Sequence, residues 1–347
     1  MQALFYLGWA YVGIPSQPKR LVQRCQRPRL NPRPARATLL RLSLLQRKPV
    51  PMLPIRYVDP VYRPPSEAES LILPVTDGCS WNQCTFCEMY TSPQKTFRAR
   101  SEAEVVDSIR RTGELHGAQV RRVFLADGDA LVLPTRRLLV YLEAIRTHLP
   151  AVHRVSSYSL ARNLTKKSVI ELKTLADAGL ALAYLGAESG DDEVLARVHK
   201  GETFDSTRAA LDKLGEAGIR RSVMILNGLG GTALSAQHAD NSARLINATQ
   251  PEYLSTLVLT LHDSGRRFLQ SWPDWQALSQ QGLFHEMERF LSALTLKRTV
   301  FRSDHVSNRL VLKGTLGADK DSLLAQVRAT LEHPEAAPLR PAWTRGL

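Results

Sequence analysis

Three of the four cysteines fall within nine residues: Cys79, Cys84 and Cys87, spaced C-x4-C-x2-C. Thiolates are soft ligands, and three on one tight loop can each take one iron of a cubane four-iron cluster. The fourth iron then stays open to a chelating small molecule. A zinc site of three Cys and one His is an alternative, with His116 or His153 brought in by folding. Such sites commonly arrive as two separated pairs of ligands, and there is no second pair here. A redox C-x-x-C made by Cys84 and Cys87 would leave Cys79 without a use. Cys25 stands far from the group and reads as a free thiol. So few cysteines in 347 residues do not make a disulfide framework, so a reducing, cytoplasmic setting is expected.

A parallel α/β chain is the element pattern that can carry such a loop. Short β-like runs recur about every 30 residues, separated by helical stretches. They are Leu71 to Thr76, leading directly into the cysteine loop, then Val123 to Ala126, His153 to Ser159, Leu180 to Gly186, Val223 to Leu226 and Tyr253 to Thr260. Ser101 to Glu104 fits a capping box opening a helix that carries Val105, Val106 and Ile109. Pro134 suits the first turn of the next helix. Residues 172–180 echo residues 211–219, each with a glycine where a helix should stop and a strand begin. Six strands are fewer than the eight of a closed barrel. The expected fold is therefore α/β, a partial (β/α)6 TIM-like barrel over residues 52–262, with its chemistry at the strand ends. A C-terminal extension, 263–333, is expected to cover its open side through Trp272, Trp275, the run Thr299 to Ser303 and a last helix near Asp319 to Leu331. Residues 334–347 read as a frayed tail.

The cysteine triad directly after a first strand, with Phe86 before the last cysteine, resembles the radical S-adenosylmethionine (radical SAM) enzymes. The usual spacing there is C-x3-C-x2-C, so this chain resembles a subgroup with one more residue between Cys79 and Cys84. The resemblance covers roughly residues 70 to 262. It implies a 4Fe-4S cluster on the three cysteines and S-adenosyl-L-methionine (SAM) at the open iron. Reductive cleavage would give a 5'-deoxyadenosyl radical that takes hydrogen from a substrate. In the family the loop after the second strand meets the amino group of SAM, a place held here by Asp127, Gly128 and Asp129. An ordinary Asp-Gly turn explains the same residues. Gly186-Ala187-Glu188-Ser189-Gly190 resembles the strand end that meets the ribose. By that resemblance Glu188, with Ser189 beside it, takes the ribose hydroxyls and Lys200 the carboxylate, with Arg197 as the rival. Asn227 and Gly228 end the fifth strand, where glycines let backbone approach the adenosine, although a tight turn would use them equally. No Gly-Lys-Ser/Thr follows, which disfavours a phosphate loop.

Within the extension, residues 301–308 gather Arg302, His305, Ser307 and Asn308. Arg302 and His305 are candidates for contact with substrate, and a hydrogen-bonded corner is the alternative use of the stretch. No cysteine group follows Cys87, so auxiliary clusters are not expected, nor is a cobalamin-binding segment evident. The formal charge of +13 is uneven: residues 1–51 hold ten Lys or Arg and no acid, leaving 36 basic against 33 acidic side chains elsewhere. Nucleic acid is thus not the expected partner. The apolar run Ala3 to Ile14 is shorter than the roughly 20 residues of a membrane span. The Arg- and Pro-rich start reads as a disordered or untranslated segment, or as a transit peptide. The expected partners are an unidentified substrate and an electron donor such as a flavodoxin or ferredoxin. A non-catalytic iron-sulfur or zinc protein is the alternative function, followed by an RNA-modifying enzyme.

Overall fold

The computed structural model describes residues 53–261 and 265–341. The basic segment 1–51, Cys25 and the end of the tail lie outside the described residues.

β1 (Leu71–Pro74) runs into a two-residue strand, β2 (Thr76–Asp77), which pairs antiparallel with β3 (Arg98–Ala99). The cysteine loop is thereby an excursion closed at its base. α1 (Glu102–His116), β4 (Arg122–Ala126), α2 (Thr135–His148) and β5 (Arg154–Ser159) follow, then α3 (Ala161–Leu164), α4 (Val169–Asp177) and β6 (Leu180–Glu188). The barrel continues through α5 (Asp192–Arg197), α6 (Phe204–Glu216), β7 (Arg220–Asn227), α7 (Gly231–Thr249) and β8 (Tyr253–Val258). α8 (Arg266–Ser271), α9 (Gln280–Ala293), β9 (Thr299–Ser303), β10 (Leu312–Leu316) and α10 (Lys320–Glu332) complete the described chain.

One eight-stranded sheet has the order β1-β4-β5-β6-β7-β8-β9-β10. Every pair is parallel from β1 to β9, and β10 returns antiparallel to β9. The six expected strands are all present in the expected order. The extension lengthens the sheet by two strands, β9 and β10, which was not expected. Thr299, Phe301 and Ser303 are buried on one side while Val300 and Arg302 face the other, the period-2 pattern of a strand with two different faces. Of the expected tail, the described residues 334–341 are tied to the body: the Arg340 amide bonds Arg309 O at 2.8 Å and its guanidinium bonds His305 O at 2.5 Å.

The outer face of the sheet packs against the helices through Leu73, Val123, Leu125, Val155, Val223 and Ile225, meeting Ile109, Leu138, Leu172 and Leu211. Each such side chain contributes about 1.5–3 kcal/mol when fully buried. Of the apolar residues of α1, Val105 and Ile109 are buried in this core and Val106 is partly buried against it. The capping box expected at Ser101 does not form: its side chain makes no cap bond, and Glu104 instead lies 3.9 Å from Arg100. Ser168 with Glu171 makes the reciprocal box at α4. Pro134 sits one residue earlier than expected, as the N-cap of α2. The echoed glycines behave as read, with Gly179 at φ +112 and Gly218 at φ +78 just past α4 and α6. The inner face of the sheet is aromatic: Phe124 stacks edge-on with Tyr158 at 4.8 Å and Tyr184 at 6.0 Å, and Val61 from the segment before β1 packs on them.

Candidate active site

The cysteine loop is held at both ends by charge. Asp77 receives Arg98 Nε at 2.7 Å and Arg100 Nη2 at 2.7 Å, which closes the β2/β3 base. Burial works against the Asp77 carboxylate, but these two guanidiniums more than offset it and hold its pKa below the usual range. Lys95, fully buried, reaches Asp127 at 2.6 Å. Gly78, at φ +71, lies where any Cβ would overlap Lys95 O, so the turn into the loop requires glycine.

The middle of the loop docks on the turn after α5. Trp81 Nε1 donates to His199 O at 2.9 Å, the Thr85 amide donates to Val198 O at 3.0 Å, and Arg162 covers the Trp81 ring 3.5 Å from its centroid. From the extension, Arg267 on α8 donates to Cys87 O at 3.1 Å and Asn82 O at 3.0 Å. Ser271 donates to Thr85 Oγ1 at 2.9 Å. Three separate stretches thus fix the conformation of one loop.

This scaffold brings Cys79, Cys84 and Cys87 to the wall of a single cavity, with Phe86, Tyr90, Gly128, Tyr184, Gly186, Glu188, Lys200, Met224, Leu226 and Leu257 around them. Burial pushes all three thiols up, Cys84 to about 11 and Cys87 to about 12. Lys200 Nζ lies 3.3 Å from Glu188 Oε1. Burial opposes the charge on Lys200, yet Glu188 and the neighbouring Cys84 and Cys79 raise its pKa above the ordinary value. Glu188 takes φ +66, which folds its side chain back over Gly186, where a Cβ would overlap the carboxylate.

The residues expected at the site separate into two groups. The three cysteines, Gly128, Glu188 and Lys200 share the cavity. One oxygen of each carboxylate flanking Gly128 is engaged, Asp127 Oδ2 by Lys95, and Asp129 Oδ2 by Ser80 Oγ at 2.6 Å and Asn163 Nδ2 at 2.5 Å, while Oδ1 of each is buried with no partner among the described residues. Burial lifts the Asp129 pKa to about 6. Ser189 is turned to His238 Nδ1 at 2.8 Å, and Arg197 pairs with Glu193 at 2.8 Å on the surface. The Gly228 amide donates to Glu286 at 2.6 Å beneath α9, and Asn227 lines a different cavity on that side. Lys95, Trp81, Arg162 and Arg267 were not singled out from sequence. Each acts through a partner between 32 and 185 residues away, for which one sequence carries no signal.

Soft thiols on a largely apolar wall suit an iron-sulfur cluster. Among the described residues no three His, Cys, Asp or Glu side chains converge closely enough to hold a single metal ion. His116 closes α1, and His153 precedes β5, bonding Arg121 O at 3.0 Å. Both belong to the end of the sheet opposite the cysteine loop, which disfavours the zinc alternative. Two further observations fit a bound group in the cavity. The Tyr90 hydroxyl is buried there with no partner, and a Cβ at Gly128 would press to 2.8 Å from the Tyr90 ring and 3.0 Å from Cys79 Cβ.

The sequence model of the radical SAM superfamily matches residues 73–245, from β1 to α7. The chain belongs to this superfamily. Among curated proteins it is similar to the heme chaperone HemW of Bacillus subtilis, 21% identical over 182 residues, which are 50% of this chain and 47% of HemW. It thus spans about half the length of that relative. Among solved structures it is similar to coproporphyrinogen III oxidase (HemN) from Escherichia coli, with 15% identity, 64% of this chain and 52% of that one covered, and a TM-score of 0.48. It is also similar to the radical SAM methyltransferase TsrM from Kitasatospora setae, with 17% identity, 58% and 39% covered, and a TM-score of 0.48.

A second and larger cavity adjoins the first. It has a volume of about 550 Å3 and shares Tyr184, Met224 and Leu257 with the cysteine cavity. Arg302 and His305, the candidates from the extension, both line it. Ser307 and Asn308 instead make the corner that sequence offered as the alternative: the Val258 amide donates to Ser307 Oγ at 3.0 Å, and Asn308 Nδ2 donates to Thr256 O at 2.8 Å. The stretch therefore both anchors the extension and furnishes a cavity wall.

Proposed function

We propose that this chain is an enzyme that holds a 4Fe-4S cluster on Cys79, Cys84 and Cys87, cleaves SAM reductively and oxidises a small molecule by hydrogen abstraction. The observation that carries this reading is the convergence of three half-buried thiols with the Glu188–Lys200 pair on one cavity wall, beside a second cavity large enough for a substrate. When bound and reduced, the cluster and SAM together supply a 5'-deoxyadenosyl radical. The chain's own residues bind and orient. Lys200 presents its ammonium to the methionyl carboxylate, and Glu188 accepts from the ribose hydroxyls. The Gly128 backbone admits the amino end, with the buried Asp127 and Asp129 adding negative field behind it. Asn227 and Gly228, at the end of β7, would back the adenosine, while Ser189 would keep the turn after β6 in place through His238 and the Asp191 amide, and Arg197 would steady α5 through Glu193. Phe86, Leu226 and Leu257 exclude water, which strengthens every electrostatic contact inside.

A flavodoxin- or ferredoxin-type donor in the cytoplasm would provide the electron. Among the described residues no helix is long and apolar enough to cross a membrane. The test is electron paramagnetic resonance of the anaerobically reconstituted, reduced protein with and without SAM. A spectrum that changes on adding SAM supports the reading, and a cluster signal indifferent to SAM contradicts it.

A further inference from the structure

The larger cavity is built from the inner face of the sheet, where alternate residues point the same way: Leu182 and Tyr184 on β6, Ser222 and Met224 on β7, Tyr253 and Leu257 on β8. Most of this wall is apolar or aromatic. Its charges are nearly all matched. Arg154 donates to the fully buried Glu67 at 2.8 Å, and Tyr184 OH donates to the same carboxylate at 2.6 Å. Asp304 pairs with Lys313 at 3.0 Å. Burial, aided by the nearby Arg340 charge and opposed by Asp304, lowers the His305 pKa to about 4, so its ring is neutral near pH 7.

Arg302 is the exception. Among the described residues it makes no ion pair, and its only bonds run from Nη1, to Phe301 O at 2.8 Å and Gly314 O at 3.4 Å. The Nε and Nη2 edge is left without a protein acceptor among the described residues. That edge offers two parallel N–H donors, the geometry that matches a carboxylate bidentately. A second donor stands nearby. His305 Nδ1 accepts from the Ser307 amide at 3.1 Å and lies 2.7 Å from the Ser307 hydroxyl, so the neutral ring carries its proton on Nε2.

We propose that this chamber binds an amphipathic carboxylic acid, its carboxylate on the free edge of Arg302 and its apolar body along Leu182, Met224 and Leu257 toward the cysteine cavity. The proposal rests on the reading of the adjoining chamber as the substrate site. An acid seated this way directs the end remote from its carboxylate toward the wall that the two cavities share.

The test is equilibrium binding to the full-length reconstituted protein. The probes are two pairs that differ only at the head group: 3-phenylpropionate with 3-phenylpropionamide, and hexanoate with hexanamide. At least one acid should bind tenfold or more tightly than its amide, the size of one charge-assisted hydrogen bond. Arg302→Gln should abolish that preference, lowering acid affinity tenfold or more and amide affinity by less, with circular dichroism certifying the fold of the variant. Arg302→Lys should restore part of the preference, since a single ammonium lacks the two-donor edge. Equal affinity for acid and amide, failure of both acids to bind, or a preference that survives Arg302→Gln overturns the proposal. The response of the cluster to SAM, recorded on the same sample, reports separately on the cofactor reading, so the two can fail independently.

Discussion

Replacing Gly186 with alanine tests the most constrained contact in the cavity. The backbone there tolerates alanine, since Gly186 is not among the glycines at positive φ. Its Cβ, however, would occupy the space of the Glu188 carboxylate and lie 3.6 Å from Lys200 Nζ. Glu188 must swing away, and its 3.3 Å ion pair with Lys200 is lost. At an effective dielectric of about 20 the gross attraction at that separation is roughly 5 kcal/mol. The net worth of a charge-assisted hydrogen bond is about 1.5–3 kcal/mol, because solvation returns part of the loss. If Glu188 meets the ribose, SAM binding should weaken by about 10- to 100-fold, since about 1.36 kcal/mol corresponds to each decade. The assay is anaerobic equilibrium binding of SAM, with iron content and circular dichroism as controls. A double-mutant cycle with Glu188→Ala isolates the cause: Gly186→Ala should cost little once Glu188 is already gone. Unchanged SAM affinity in Gly186→Ala, or an equal loss in the Glu188→Ala background, would refute the reasoning.

Three further outcomes follow from the same geometry. Serine at Cys79, Cys84 or Cys87 should drop iron content after reconstitution several-fold while helical content stays intact, because each thiol is a wall group rather than a core filler; full iron retention in all three variants would contradict the ligand assignment. Arg267→Met removes two hydrogen bonds to the cysteine loop, each worth about 1.5–3 kcal/mol, and should speed loss of iron to a chelator by tenfold or more, with an unchanged rate as the contrary result. The His305 pKa of about 4 lies below its unfolded value near 6.5, so the unfolded chain binds the extra proton first and stability falls as pH drops from 6.5 to 4, by at most roughly 3 kcal/mol. His305→Gln should flatten that part of the pH profile in urea unfolding, and an equally steep profile would exclude His305 as its source.

The cysteine triad was legible because all three thiols fall on one short loop, so their spacing is local. The register of the six barrel strands was legible for a similar reason: glycine at the helix-to-strand corners and short apolar runs are local signals, and Gly179 and Gly218 took the conformations those corners require. Glu188 and Lys200 were singled out by the resemblance to radical SAM enzymes, for two different parts of SAM; their mutual ion pair across the short helix α5 was not foreseen. What holds the loop was not legible. Lys95 to Asp127, Trp81 to His199 and Arg267 to Cys87 are contacts between distant stretches, settled only when the sheet is assembled. The same holds for Asp127 and Asp129, whose type and position suggested a cationic ligand. One oxygen of each is held by Lys95, or by Ser80 and Asn163, partners that a single sequence does not connect. The sheet membership of residues 299–303 was also missed, since a five-residue alternating run does not specify its neighbour.

The measurement that bears most directly on the whole account is 5'-deoxyadenosine release by the reconstituted protein under dithionite with SAM, set beside Cys84→Ser treated identically. The account predicts release that depends on iron, reductant and Cys84. A protein that carries its cluster, binds SAM and yields no deoxyadenosine above the Cys84→Ser background would contradict it.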